Sequence, residues 1–392
     1  MNADWFLRRA SACLLLLAAG AAHAASALFI SSSPIQPGKF RLLAEHAAAH
    51  GVRVEARFIE KLPPDVDAGL FRGHDFVFFD TPRDHLRDAV QARLAPALQA
   101  LKTPSLWLHD GQPSWNGLPD ALAKRLHAYY MNGSKTNFTG FFQTLAAHHA
   151  GRSWSGIAPP VVFPKTAIYH PAAPGLVFAD TAGYLAWKKV DATGTGKPPV
   201  IAIALHQQYI AAEQTAFIND LIARIEAAGA VPLAFYSPVM DADAMRRIMA
   251  PGGRQLAEVL INTQIMLNPE GRRKEFEAMG VPVIQAMPYR KGDAAAWAAD
   301  PQGVALMDVP FYLAQAEYAG VADIQIAAAT DKQSDQIVPI AAQSAAVVAK
   351  ALNLARLQKK PNAEKKIAVL FWNYPPGEKN LGASYMNLPR SL

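Results

Sequence analysis

The chain has 392 residues, 51% hydrophobic and 18% charged, which excludes a disordered solvating polymer and allows two or three domains with cores of their own. Its formal net charge of +6 is scattered along the sequence and not gathered into a stripe, so no nucleic-acid-binding face is expected. The single cysteine, Cys13, lies in a segment expected to be removed, which excludes thiolate catalysis, cysteine-held zinc and disulfides from the mature chain.

Residues 1–24 read as a secretory signal peptide. Arg8 and Arg9 give the positive start, an apolar run centred on Leu14 to Leu17 follows, and Ala22-His23-Ala24 places small residues before a cut between Ala24 and Ala25. The run is short for a membrane span, which needs about 20 apolar residues, so export to the periplasm is expected and no span beyond the signal peptide.

Residues 27–151 alternate between strand-like and helix-like stretches. Strands are expected at 27–32, 52–59, 76–79 and 105–108, and helices at 40–50 (ended by Gly51), 118–130 and 138–150. The uninterrupted apolar run Phe76-Val77-Phe78-Phe79 suits a parallel sheet covered on both faces, so this is a first α/β domain of open, flavodoxin-like order. Residues 152–199 carry Pro159, Pro160, Pro164, Pro171, Pro174, Pro198 and Pro199 and read as a Pro-rich connector. Within it Gly194-Thr195-Gly196-Lys197 fails as a phosphate loop, because Pro198 replaces the magnesium-holding hydroxyl residue and the stretch precedes its strand.

Residues 200–345 form a second open, mostly parallel flavodoxin/Rossmann-like α/β domain. Its strands are expected at 200–205, 231–236, 256–261 and 281–284, with helices at 211–228 and 272–279 closed by Gly229 and Gly280. A helix over 343–359 and a strand opening at 366–372 place the start of a further, truncated domain in residues 346–392.

Ligands of open α/β sheets meet the carboxyl ends of the strands. That rule singles out Asp80-Thr81, His109-Asp110, His206-Gln207 and Asn262-Thr263. His206 is the leading candidate, able as a neutral imidazole to bind a metal or a tetrapyrrole carboxylate, or simply to satisfy loop carbonyls. His109 and Asn262 read as structural. His46 and His50 lie one helical turn apart, but Ala47 stands where a zinc-protease helix has Glu, so a solvated helix face is expected. Glu317 sits in an apolar, tyrosine-bearing stretch where burial would demand a partner; it reads either as a group for a metal ion or pyrrole proton, or as an ion-pair anchor.

The most specific text comes last. Asn373-Tyr374-Pro375-Pro376 and Gly382 follow the strand at 367–372 and precede Leu388-Pro389-Arg390-Ser391. Upstream, in order, stand Asn132-Gly133 with Asn137, His170-Pro171 with Tyr184 and Trp187, Trp297 through Gln302-Gly303 to Asp308, and Glu317 with Gly320. Together these resemble the amino-terminal portion of CobN-type cobaltochelatase large subunits and the magnesium chelatase H subunit. The resemblance covers most of the chain after residue ~130. It implies a tetrapyrrole substrate, cobalt or magnesium as the ion inserted, and ATP used through partner ATPase subunits. It marks His170, Trp187, Asp308, Asn373, Tyr374 and Gly382 as family-motif positions and puts the catalytic centre downstream of Tyr374-Pro375-Pro376, so no catalytic residue is assigned. The residues alone also fit an exported binding protein that captures a corrinoid, porphyrin or metal without catalysis.

Overall fold

The computed structural model describes residues 24–32, 37–191, 196–321, 323–368 and 370. The expected signal peptide up to His23, and the motif positions Asn373, Tyr374 and Gly382, lie outside the described residues.

The first unit is built from β1 (Ala25–Ser31), α1 (Pro37–Ala48), β2 (Val52–Phe58), β3 (Phe76–Asp80), α2 (Asp84–Gln99), β4 (Ser105–Leu108), β5 (Ser114–Asn116), α3 (Asp120–Asn132) and α4 (Ser134–His149). The sheet order is β2-β1-β3-β4-β5, parallel through β4, with β5 antiparallel at the edge. This is the flavodoxin-like order expected of it. Every residue of β1 and β3 is buried, because α1, α3 and α4 cover one face and α2 the other. Phe29 anchors the first of these cores, its ring 4.9 Å from that of Phe78 and 5.8 Å from that of Tyr130. Full burial of each such ring stabilises the fold by about 1.5–3 kcal/mol.

The proline-punctuated stretch expected to be a connector is more than that. It supplies β6 (Ala167–Tyr169), β7 (Val177–Phe178) and α5 (Thr181–Lys188). The two strands extend the second sheet antiparallel from its edge, a place where prolines in the flanking turns cost no ladder hydrogen bonds. The second unit continues with β8 (Val200–Leu205), α6 (Gln207–Ala211), α7 (Ala216–Ala227), β9 (Val231–Tyr236), α8 (Ala244–Met249), β10 (Val259–Asn262), α9 (Pro269–Met279), β11 (Val283–Tyr289) and α10 (Ala294–Ala299). A π-helical turn over Val309–Ala314 then leads into α11 (Gln315–Tyr318), β12 (Asp323–Thr330), β13 (Ile337–Pro339) and α12 (Ala341–Lys359).

The sheet order is β13-β12-β11-β10-β8-β9-β6-β7. Its five parallel strands, counted from β8, again run in the order 2-1-3-4-5. Three departures from expectation stand out. The helix expected over 211–228 is broken at residues 212–215, where Glu213 adopts φ 55°. The helix assigned to a further domain, α12, instead buries Val347, Val348, Ala351 and Ala355 in the second unit's core against α7 and β12. Lys366, Ile367 and Ala368, expected to open a strand, are in no strand, and Ile367 is exposed.

The units are joined closely. Gly133, between α3 and α4, has φ 61° and ψ −156°, and a Cβ there would lie 2.6 and 2.7 Å from C and Cα of Ala211 in α6. Only glycine permits both that conformation and that approach. His46 Nε2 lies 3.0 Å from the Glu213 carboxylate, so the helix face expected to be solvated is a contact between the units. Arg41 adds a 3.5 Å pair with Asp335. Asn137, fully buried, exchanges two 2.8 Å hydrogen bonds with the backbone of Val161, and Asn132 Oδ1 accepts from Phe163 N–H at 3.1 Å. The Asn-Gly and Asn motif thus ties α3 and α4 to the segment entering the second sheet.

Candidate functional site

In each sheet the chain reverses its winding direction next to the first strand, and the loops there diverge to leave a crevice. The crevice of the first sheet lies between β1 and β3, and that of the second between β8 and β10. The two face one another across a single cleft of about 450 Å³. From the first unit it is lined by Lys39, Asp80, Arg83, Asp110, Tyr130 and Phe138; from the second by His206, Gln208, Tyr209, Gln214, Ile265 and Arg290. That volume is in the range of sites for mid-sized organic ligands.

On the first unit's wall Lys39 Nζ sits 2.9 Å from Asp80 Oδ2 and 4.5 Å from the centroid of the Tyr130 ring. The Asp80 side chain is almost fully buried, so the ammonium supplies the opposite charge that its burial requires. Tyr130 is pushed well above the usual phenol range, first by burial and then by the Asp80 charge, and it stays a neutral donor. Arg83 pairs with Asp110 at 3.2 Å near the mouth.

On the second wall His206 follows β8 directly. Its Nε2 accepts the Ile265 backbone N–H at 2.9 Å, which puts the ring proton on Nδ1. Burial, then the nearby Arg290 charge, lowers its pKa from 6.5 to about 4, so the imidazole is neutral at pH 7. The Nε2 lone pair is occupied. As it stands, His206 offers the cleft a donor and not a metal ligand. Tyr209 packs edge-on to this ring at 5.7 Å, and its hydroxyl lies beside Tyr312 and Arg290. Arg290 donates to the Tyr312 hydroxyl at 2.9 Å. The break between α6 and α7 has a purpose here: Gln214 reaches the cleft while its Oε1 accepts the Ile337 N–H at 2.8 Å.

The other sequence candidates fall into place around this. Asp308 is buried behind Arg290; burial raises its pKa and the Arg290 charge opposes that rise. His109 is structural, its Nδ1 accepting N–H groups of Gly111 and Gln112 at 3.1 and 3.0 Å. Asn262 is also structural, bonding Gln285 at 2.7 Å in a buried amide network with Gln264. His170 packs edge-on to Trp187 at 4.9 Å and sits 3.1 Å from Glu226, which also pairs with Lys188, so this motif fastens α5 to α7. Glu317 is exposed on α11, whose buried residues pack toward α9, and it does not line the cleft with His206. Its stretch is amphipathic: Tyr312, Ala316 and Ala319 go inward while Phe311, Glu317 and Tyr318 do not.

Lys39, Tyr209, Arg290 and Tyr312 were not singled out from the sequence. Arg290 had a signal, since it directly follows the apolar strand β11, but that strand was expected to end at 284. Among the described residues no group of three or more His, Cys, Asp or Glu could hold a metal ion, and no helix is long and apolar enough to cross a membrane.

Comparison with known proteins agrees with this architecture. The family described as CobN/Magnesium Chelatase matches residues 127–392. The chain is 25% identical over 295 residues to the aerobic cobaltochelatase subunit CobN of Pseudomonas aeruginosa, covering 70% of this chain and 23% of that protein. It is 22% identical over 290 residues to the magnesium-chelatase H subunit of Rhodobacter capsulatus, covering 67% and 24%. Its fold matches the catalytic subunit of cobaltochelatase from Mycobacterium tuberculosis with a TM-score of 0.62 at 18% identity, over 89% of this chain and 29% of that one. The chain therefore spans about a quarter of the length of the curated relatives it matches.

Proposed function

The chain belongs to the CobN/magnesium chelatase family, and from that premise we propose that it corresponds to the amino-terminal part of a metallo-tetrapyrrole chelatase large subunit and holds the macrocycle in the cleft between its two α/β units. The supporting observation is the apposition of two switch-point crevices around one cavity. A tetrapyrrole presents a broad apolar face and a polar periphery. Tyr130, Phe138, Tyr209 and Ile265 match the face; Lys39, Arg83, Arg290 and the Nδ1–H of His206 match the periphery. Cobalt or magnesium is then a substrate ion, as the names of the cobaltochelatase and magnesium-chelatase relatives indicate.

We propose further that the chain is exported and cut after Ala24. The Ala22-His23-Ala24 site supports this, and since β1 begins at Ala25 a cut at that bond leaves the first strand whole.

The test is an absorbance titration of a metal-free porphyrin into the full chain, His206→Ala and Glu317→Gln. Saturable binding is expected, weakened roughly tenfold or more by His206→Ala through loss of one polar contact. Glu317→Gln is expected to bind as the wild type does. Absence of saturable binding to the wild type overturns the proposal.

A further inference from the structure

The cleft lining contains three permanent cations, and two of them are already neutralised: Lys39 by Asp80 and Arg83 by Asp110. Arg290 is different. Among the described residues no ion pair joins it to a carboxylate, and its guanidinium is held by a neutral phenol, Tyr312, at 2.9 Å. The nearest compensating charge, Asp308, is buried and acts only from a distance. A guanidinium has five donors in a fixed fork, and the Tyr312 contact uses one nitrogen of it. The neighbouring imidazole of His206 has its Nε2 occupied by Ile265 and so presents a second donor, Nδ1–H. The Tyr209 hydroxyl stands beside the same guanidinium. One wall of the cleft therefore gathers donors around a guanidinium that no carboxylate pairs directly, and among the described residues the opposite wall offers no carboxylate free of a partner of its own.

We infer that Arg290, with His206 and Tyr209, forms a clasp for one peripheral carboxylate of the macrocycle, and that Arg290 sets the preference of this cleft for acid over amide side chains. This rests on the tetrapyrrole reading above and adds a specificity determinant to it. The fork of Arg290 suits a carboxylate held by two parallel hydrogen bonds, a geometry that lysine does not reproduce. An amide at the same place brings its own N–H donors against the guanidinium and loses the charge attraction. Tyr312 acts as a positioning residue that holds the fork toward the cleft.

Two water-soluble cobalt corrinoids separate these chemistries: cobyrinic acid, whose periphery is carboxylate, and cobinamide, whose periphery is amide. Both are titrated by visible absorbance into the full wild-type chain, Arg290→Gln, Arg290→Lys and Tyr312→Phe at pH 7. The wild type is expected to prefer the acid by roughly tenfold to a hundredfold. Arg290→Gln should bring that ratio close to one, by costing far more affinity for the acid than for cobinamide. Arg290→Lys should restore part of the preference, and Tyr312→Phe should reduce it with less effect than Arg290→Gln. Arg290 is exposed to the cleft, so its replacement is expected to leave the fold intact; should Arg290→Gln misfold, the ratios in Arg290→Lys and Tyr312→Phe decide. Wild type binding both corrinoids with equal affinity, or variants keeping the full preference, overturns the clasp and leaves the tetrapyrrole reading standing. Binding of neither corrinoid overturns the clasp, and if metal-free porphyrin does not bind saturably either, the tetrapyrrole reading falls with it.

Discussion

Replacing Gly133 by alanine should separate the two units or unfold the chain early. Two independent costs arise at this position. The backbone at φ 61° and ψ −156° is essentially closed to residues with a Cβ, a strain of about 1–3 kcal/mol. The added methyl also overlaps the Ala211 backbone, 2.6 Å from its carbonyl carbon, and forcing helix α6 away costs about 1–3 kcal/mol more. Together these make about 2–6 kcal/mol, a large share of the about 5–15 kcal/mol that holds a typical domain. With a urea dependence near 3 kcal/mol per molar, the unfolding midpoint should fall by about 0.7–2 M. Gly229 supplies the control. It too has a positive φ, 74°, but nothing lies within 4 Å of an added Cβ, so Gly229→Ala meets backbone strain alone, about 1–2 kcal/mol. If the units yield instead of unfolding, the His46–Glu213 contact opens and the cleft widens, and porphyrin affinity falls. A Gly133→Ala chain with the wild-type urea midpoint and wild-type affinity would refute the close-approach argument.

Asn137→Ala removes both hydrogen bonds to Val161 from a fully buried site and should cost about 1–3 kcal/mol, read as a lower urea midpoint; an unchanged midpoint would show that the amide is dispensable. The lowered pKa of His206 means that the folded state disfavours its protonation. Its contribution, about 3 kcal/mol at most, is complete above pH 6.5 and is lost as pH falls toward about 4. His206→Gln should flatten that part of the stability profile, and a variant with the same slope between pH 6.5 and 4 would place the titration elsewhere. Export predicts a periplasmic product beginning at Ala25 on amino-terminal sequencing, whereas a product retaining Met1 in the cytoplasm would count against it.

Periodicity carried most of the fold because the parallel strands are continuous apolar runs: Phe76 to Phe79 and Val200 to Leu205 were legible as strands on sight. Short, mixed elements were not. β6 and β7 are three and two residues long, too short for a period-2 pattern, and the prolines around them read as linker. β12 and β13 went unread, and with no strand there α12 seemed to belong to later chain; its alanine-rich buried face, Ala351 with Ala355, gives little hydrophobic contrast. The site was half legible. His206 was reachable because it ends an apolar strand. Its tautomer was not, since that depends on the Ile265 N–H, 59 positions away in the chain. The union of Lys39, Tyr130, Tyr209 and Arg290 in one cleft depends on how two sheets face each other, and no local pattern encodes that.

In the proposed function the macrocycle binds in the cleft between the two switch points. Hydrogen-exchange mass spectrometry of the full chain, with and without saturating metal-free porphyrin, tests it most directly. Slowed exchange is expected in the strand-end segments around residues 80–83, 110–112, 206–212, 264–266 and 290–292, with the α9 and α11 faces unchanged. Protection concentrated on those two helices, or none at the strand ends of either unit, would contradict it.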